Sequence, residues 1–207
     1  MAGSAESGEG RHRLFLAVRL SDEANAAIGA WAKARAGEFE NARISWVSPS
    51  LYHLTLHFFG EVSEADAAAI AAGFEPLEGK AAAPALSIQG VNYLPSRRAP
   101  RVLCLGLSVE PDGALGTIIG TARRLAAELG AENDGRPWRA HLTLGRFREP
   151  PRGTSAPPFD GAPEIGVRRV SPETFDLMES FLSPRGPRYE ILRRYPFAAS
   201  APRYPIL

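Results

Sequence analysis

The chain has 207 residues, 44% of them hydrophobic, and a formal net charge of +1. That length allows one large domain or two small lobes sharing a core, and the composition excludes a disordered chain. The charge is too small for bulk nucleic-acid binding. Of the 24 basic residues, however, all but Lys33 and Lys80 are arginine, whose planar fork suits phosphate. Cys104 is the sole cysteine, which excludes an intrachain disulfide and a thiolate metal cluster. Within RVLCLGL it reads as a core residue. No apolar run approaches the ~20 residues of a membrane span. Residues 1–10 lack the basic start and apolar middle of a signal peptide, and are expected to be a flexible tail on a cytoplasmic protein.

In chain order, alternation over 12–20 predicts a strand. Ser21 or Asp22 then caps a helix over 23–37, with Ala27, Ile28, Trp31 and Ala34 on one stripe and Gly37 at its end. A short strand follows at 43–47, and Ser48-Pro49-Ser50 turns into a strand over 52–59 that Gly60 should end. An alanine-rich helix is expected over 64–73, and strands over 84–93 and 101–109. The second half repeats the rhythm: a helix over 112–129, a strand over 138–147, a Pro- and Gly-rich loop over 150–163, then strands near 165–170, 173–182 and 187–194. The Pro-rich end, from 196, reads as irregular. Helices mixed with mostly antiparallel strands make an α+β fold.

One phrase occurs twice. His53-Leu54-Thr55-Leu56 lies in the first half and His141-Leu142-Thr143-Leu144 in the second. On a strand, side chains two apart share a face. Each copy therefore presents a His/Thr face and buries its leucines. Strand propensity explains the Leu and Thr but not a repeated His, in a chain with only four histidines.

Paired histidines suit hydrolysis of a phosphodiester. One base must deprotonate water and one acid must protonate the leaving oxygen, and a group of pKa near ~6.5 can do either. Thr hydroxyls can donate to the non-bridging oxygens. Arg146 lies five residues after His141, so an ideal pleat turns it away; a bulge at Gly145 would return it to the groove. The rival use of histidine is metal binding. His53 and His57 have the spacing of a helical zinc pair, but Leu54 stands where HExxH needs Glu. On a strand the rings would be ~13 Å apart, too far for one ion. His57 and His12 read as surface residues. No nucleophile elbow, phosphate-binding Gly loop or dinucleotide fingerprint occurs, so neither metal nor cofactor is expected.

These residues carry a family resemblance. HLTLHFFG and HLTLGRF resemble the two HxTx motifs of the two-histidine phosphoesterase superfamily, and most closely the RNA 2′,3′-cyclic phosphodiesterases, also called 2′-5′ RNA ligases. RLFLAVRL, RISWVSPSLYHLTLHFFGEV, RPWRAHLTLGRF and LMESFLSPRGPRYEILRRYPF extend the similarity from about Arg13 to Phe197. The resemblance implies a bilobal, pseudo-symmetric fold with a central groove, taken here as one domain over 11–207 acting as a monomer. It implies metal-independent hydrolysis of a terminal 2′,3′-cyclic phosphate on RNA to a 2′-phosphate. Carried over, His53 is the proton donor, His141 the proton acceptor, and Thr55, Thr143 and Arg146 bind the phosphate. Ala140 and Gly145 depart from the Pro and Ala frequent in the family. Trp46, Tyr52, Phe58 and Trp138 are candidates to stack on a base, and Phe15 for the groove floor. The alternatives are a phosphodiesterase of small cyclic nucleotides and a non-catalytic module that binds RNA ends.

Overall fold

The computed structural model describes residues 10–40, 42–130, 137–149, 163–184 and 186–199. The expected tail at 1–9, the loop over 150–162 and the end from 200 lie outside them. Nine strands form one antiparallel sheet: β1 (Arg11–Arg19), β2 (Ile44–Trp46), β3 (His53–Ser63), β4 (Ala85–Leu94), β5 (Val102–Glu110), β6 (His141–Phe147), β7 (Arg169–Val170), β8 (Thr174–Phe181) and β9 (Arg188–Pro196). Their order is β7-β4-β5-β6-β3-β1-β8-β9, with β2 beside the end of β6. The two motif strands are thus neighbours at the middle of the sheet. Their ladder is the single pair Leu54–Leu142. Beyond it β6 turns to β2, and the Thr55 carbonyl accepts from Trp138 Nε1 at 3.0 Å.

Three helices cover the sheet. α1 (Asp22–Ala34) starts where Ser21 Oγ accepts from the Ala24 N–H, with Asp22 and Glu23 favourably placed in the first turn. α2 (Glu64–Phe74) opens with a reciprocal cap between Ser63 and Asp66. α3 (Gly116–Glu128) begins four residues later than composition suggests, because Pro111 to Leu115 is taken up by turns, with Gly113 at φ 77°. β3 also differs from expectation. It runs through Gly60 to Ser63, and Gly60, at φ 80°, sits beside a bulge.

Two cores lie under the sheet. One joins Leu14, Leu16 and Val18 of β1 with Leu54 and Leu56 of β3, the apolar faces of α2 and α3, and Phe175 and Tyr195. The other joins Leu103 and Leu105 of β5 with Leu142 and Leu144 of β6 and the face of α1. The helices are exchanged. α1 follows β1 in sequence yet packs beside β5 and β6, and α3 precedes β6 yet packs beside β1 and β3. The four motif leucines are fully or nearly fully buried, so each half of the sheet is pinned through the same tetrapeptide. Cys104 is buried, as expected, and desolvation pushes its thiol up to about 11. No helix among the described residues is long and apolar enough to cross a membrane.

Candidate active site

The alternation in both motifs is realised: His53, Thr55, His141 and Thr143 are half-buried while the leucines between them are buried. The antiparallel pair Leu54–Leu142, extended by one residue each way, sets His53 across from Thr143 and Thr55 across from His141. The two histidines are therefore diagonal neighbours, with backbones roughly 7–8 Å apart.

The histidines are held alike. His53 Nδ1 lies 2.7 Å from the Leu51 carbonyl oxygen, and His141 Nδ1 lies 2.9 Å from that of Arg139. A carbonyl can only accept, so Nδ1–H is the donor in both rings. That fixes the tautomer and leaves Nε2 with the lone pair in the neutral ring. Each carbonyl is two residues before its histidine, so each lock is local to the motif.

Arg146 reaches the same face through a bulge. In the β5–β6 ladder Cys104 pairs with Thr143 and Leu103 with Gly145, leaving Leu144 without a partner there. Its carbonyl accepts instead from the Val47 N–H at 2.8 Å. Leu144 and Gly145 are then both buried, and Arg146 emerges exposed on the His face. The register slip expected at Gly145 is present, one residue earlier.

β3 carries the same device. Ala17 pairs with Thr55 and Leu16 with His57, leaving Leu56 unpaired. His57 consequently falls across from buried Leu16, off the groove, with its ring 4.8 Å from that of Phe59. Phe58, paired with Phe15, takes the groove face.

His53 sits in an aromatic corner that local sequence signals do not reveal. Its ring centroid is 5.1 Å from Phe15 and 5.4 Å from Tyr189, and those two rings are 5.0 Å apart. Phe15 forms the groove floor, as anticipated. Tyr189 arrives from β9, 136 residues beyond His53 in the chain; only the fold brings it there. A cavity of about 120 Å³ opens beside them, lined by Arg19, Ser50, Tyr52, His53, Met178 and Tyr189. A larger one, about 410 Å³, lies by Arg11, Glu61, Ser63 and Asp66 and contains no histidine.

Burial lowers the His53 pKa from its ordinary value. The Leu51 carbonyl opposes this, and the positive charges of Arg146, His141 and Arg19 add to the lowering. Burial also raises the Tyr189 hydroxyl, with Arg146 and Arg13 opposing. Arg146 thus acts electrostatically on both the His53 and the Tyr189 side of the groove. Of the other candidate aromatics, Tyr52 is buried, Trp46 packs edge-on against Phe39, and Trp138 is tied to Thr55. His12, expected at the surface, is half-buried with Nδ1 2.9 Å from Glu179.

A model of LigT-like phosphoesterases matches residues 18–104, which include the first motif. RNA 2′,3′-cyclic phosphodiesterase of Archaeoglobus fulgidus is 30% identical over 87% of this chain and 98% of its own length. The protein of the same name from Thermus thermophilus is 31% identical over 88% and 89%. Among solved structures, E. coli LigT complexed with 3′-AMP superposes with a TM-score of 0.71 at 26% identity, covering 91% of this chain and 99% of that one. A structure from Thermus thermophilus gives 0.72 at 29% identity, with coverages of 89% and 97%. The chain therefore belongs to the LigT-like, RNA 2′,3′-cyclic phosphodiesterase family of two-histidine phosphoesterases, a family of enzymes.

Proposed function

We propose that this chain hydrolyses the terminal 2′,3′-cyclic phosphate of RNA to a 2′-phosphate, with no metal in the reaction. The observation that carries the reading is the matched pair of Nδ1–carbonyl locks on adjoining strands, together with the names of the full-length relatives. Neutral His141 accepts the water proton on Nε2 as the water oxygen attacks phosphorus. Protonated His53 gives its Nε2 proton to O3′ as the P–O3′ bond breaks. The products are a 2′-phosphate and a 3′-hydroxyl, and solvent restores the starting protonation of the pair. Thr55 and Thr143 hydroxyls donate to the non-bridging oxygens, and the exposed Arg146 guanidinium adds charge-assisted bonds. The substrate phosphate is anionic, so its arrival raises the pKa that burial and neighbouring cations depress in His53, and loads the acid when it is needed. The exchange of α1 and α3 between the cores supports a single domain in place of two separable halves.

The test is an end-group assay on an oligoribonucleotide ending in a 2′,3′-cyclic phosphate. Conversion to a 2′-phosphate with EDTA present is expected, with His53→Ala and His141→Ala each lowering kcat by ~10²- to 10⁴-fold. A 3′-phosphate product, or wild-type turnover in both variants, refutes the reading.

A further inference from the structure

The two histidines differ in what stands beside them on the groove face. His53 is walled by Phe15 and Tyr189. Across from His141, on β5, stands Gly106, which has no side chain. Leu103 and Leu105 of β5 enter the core with Leu142 and Leu144, so Cys104 and Gly106 belong to the groove face. The space over Gly106 is taken by an amide from the next strand. A Cβ at Gly106 would lie 2.4 Å from Asn92 Nδ2, closer than side chains tolerate. Glycine therefore lets the Asn92 carboxamide lie across β5 toward β6. The Asn92 backbone is held by its pairing with Cys104, whose Sγ donates to the Asn92 carbonyl at 3.5 Å. Asn92 is exposed, and its carboxamide makes no hydrogen bond among the described residues. Two strand spacings, roughly 10 Å, separate β4 from β6. The carboxamide spans the first and leaves about one, roughly 5 Å, to His141. That gap is too long for a direct hydrogen bond and suits one bridging water.

The geometry points to Asn92 as the group that positions the attacking water. This rests on the cyclic-phosphodiesterase reading, in which O3′ departs on the His53 side and water attacks from the His141 side. One water proton is directed at His141 Nε2, since His141 Nδ1–H is committed to the Arg139 carbonyl. The χ2 torsion of asparagine is broad and roughly two-fold, so a half-turn presents Oδ1 in place of Nδ2, and the other water proton is donated to it. With both protons engaged, a lone pair of the water oxygen remains for phosphorus. The bond from water oxygen to phosphorus forms as P–O3′ breaks. His141 keeps the water proton, O3′ takes that of His53, and the amide neither gains nor loses one. A neutral acceptor orients the nucleophile without placing a second negative charge beside an anionic substrate.

The test runs a 2′,3′-cyclic phosphate substrate in aqueous methanol and measures kcat, KM and the ratio of the 2′-phosphate to its methyl ester. Methanol has one hydroxyl proton, which His141 takes, so it has none left to donate to Asn92. Asn92→Leu, close in shape but without the amide, lowers kcat for hydrolysis by about tenfold and leaves KM within about twofold. It shifts the product ratio toward the ester by about tenfold, because only water loses a hydrogen bond. Gly106→Ala, which displaces the carboxamide, does the same, and adds nothing to Asn92→Leu in a double-mutant cycle. A rise in KM with kcat unchanged, or an unmoved product ratio, overturns the water site and leaves the hydrolytic reading standing. A wild type that leaves the cyclic phosphate intact, or yields the 3′-phosphate, removes both.

Discussion

Arg146→Gln separates two effects of one side chain. Arg146 binds the phosphate in the proposed mechanism, and its charge also helps lower the His53 pKa. Hydrogen bonds to a charged group contribute about 1.5–3 kcal/mol, equivalent to roughly 10- to 150-fold in kcat/KM. Arg146 is exposed, so solvent screening puts the loss near the lower end, about tenfold. Thr55 and Thr143 remain to hold the phosphate. Removing the cation also raises the His53 pKa in the free enzyme, which is what the pH profile of kcat/KM reports. His53, whose pKa burial and neighbouring cations depress, sets one limb of that profile. That limb of the variant then moves to higher pH. The assay is kcat/KM against pH for both proteins on one cyclic-phosphate substrate. An unmoved profile in the variant refutes the electrostatic link between Arg146 and His53.

Other substitutions test the supports of the site. Phe15→Leu thins the aromatic corner and lets water reach His53, so the limb of kcat/KM that His53 sets moves up in pH as in Arg146→Gln. Trp138→Phe leaves the Thr55 carbonyl without its indole donor; a loss of about 1 kcal/mol in denaturant unfolding and a fall in kcat are expected, and unchanged values of both would show that the tie is dispensable. At Gly145, an added Cβ would lie 2.8 and 2.9 Å from Ile44 Cδ1 and Cγ1. Gly145→Ala therefore destabilises by about 1–3 kcal/mol, and Ile44→Val, made in addition, returns part of that loss in a double-mutant cycle. Tyr195→Phe removes the hydroxyl that donates to the Ala71 carbonyl at 2.8 Å and lowers stability by about 1 kcal/mol without changing kcat.

Periodicity reads the motif strands well because Leu, Thr and His alternate strictly there and burial follows that alternation. It fails where the backbone slips. Arg146 and Phe58 sit on the wrong parity of an ideal strand, and His57 on the right one; the bulges at Leu144 and Leu56 reverse all three. No residue type marks those bulges, since the unpaired residues are leucines that also fill the core. Gly60 shows the converse. It looks like a terminator, but its positive φ carries β3 past a bulge instead of ending it. Tyr189 and the His12–Glu179 pair depend on β8 and β9 returning beside β1, a long-range contact with no local trace. The late start of α3 follows from Pro111 and Gly113, which are turn residues that composition averages away.

The ladders also show why two histidines in identical tetrapeptides need not be interchangeable. Across from His53 stands Arg19, and across from His141 stands Gly106. Asp176 lies across from Ala17 on one side, and Asn92 across from Cys104 on the other. His53 therefore meets Arg19, Phe15 and Tyr189, and its pKa falls through burial first. A histidine whose folded pKa is lowered binds its proton later than in the unfolded chain. The stability tied to it is complete above the unfolded value, about 6.5, and is lost as pH falls through the folded pKa. A bound anion between the rings reverses this locally, because it favours the protonated ring. Inorganic phosphate should therefore raise the melting temperature more in mildly acid buffer than at about pH 8, where histidine is neutral. His53→Gln, measured in the same buffers, removes the His53 share of that difference and corrects for the titration of phosphate itself. An identical phosphate response in wild type and variant at both pH values would mean that His53 does not face the anion, and the proposed acid would have to be sought elsewhere.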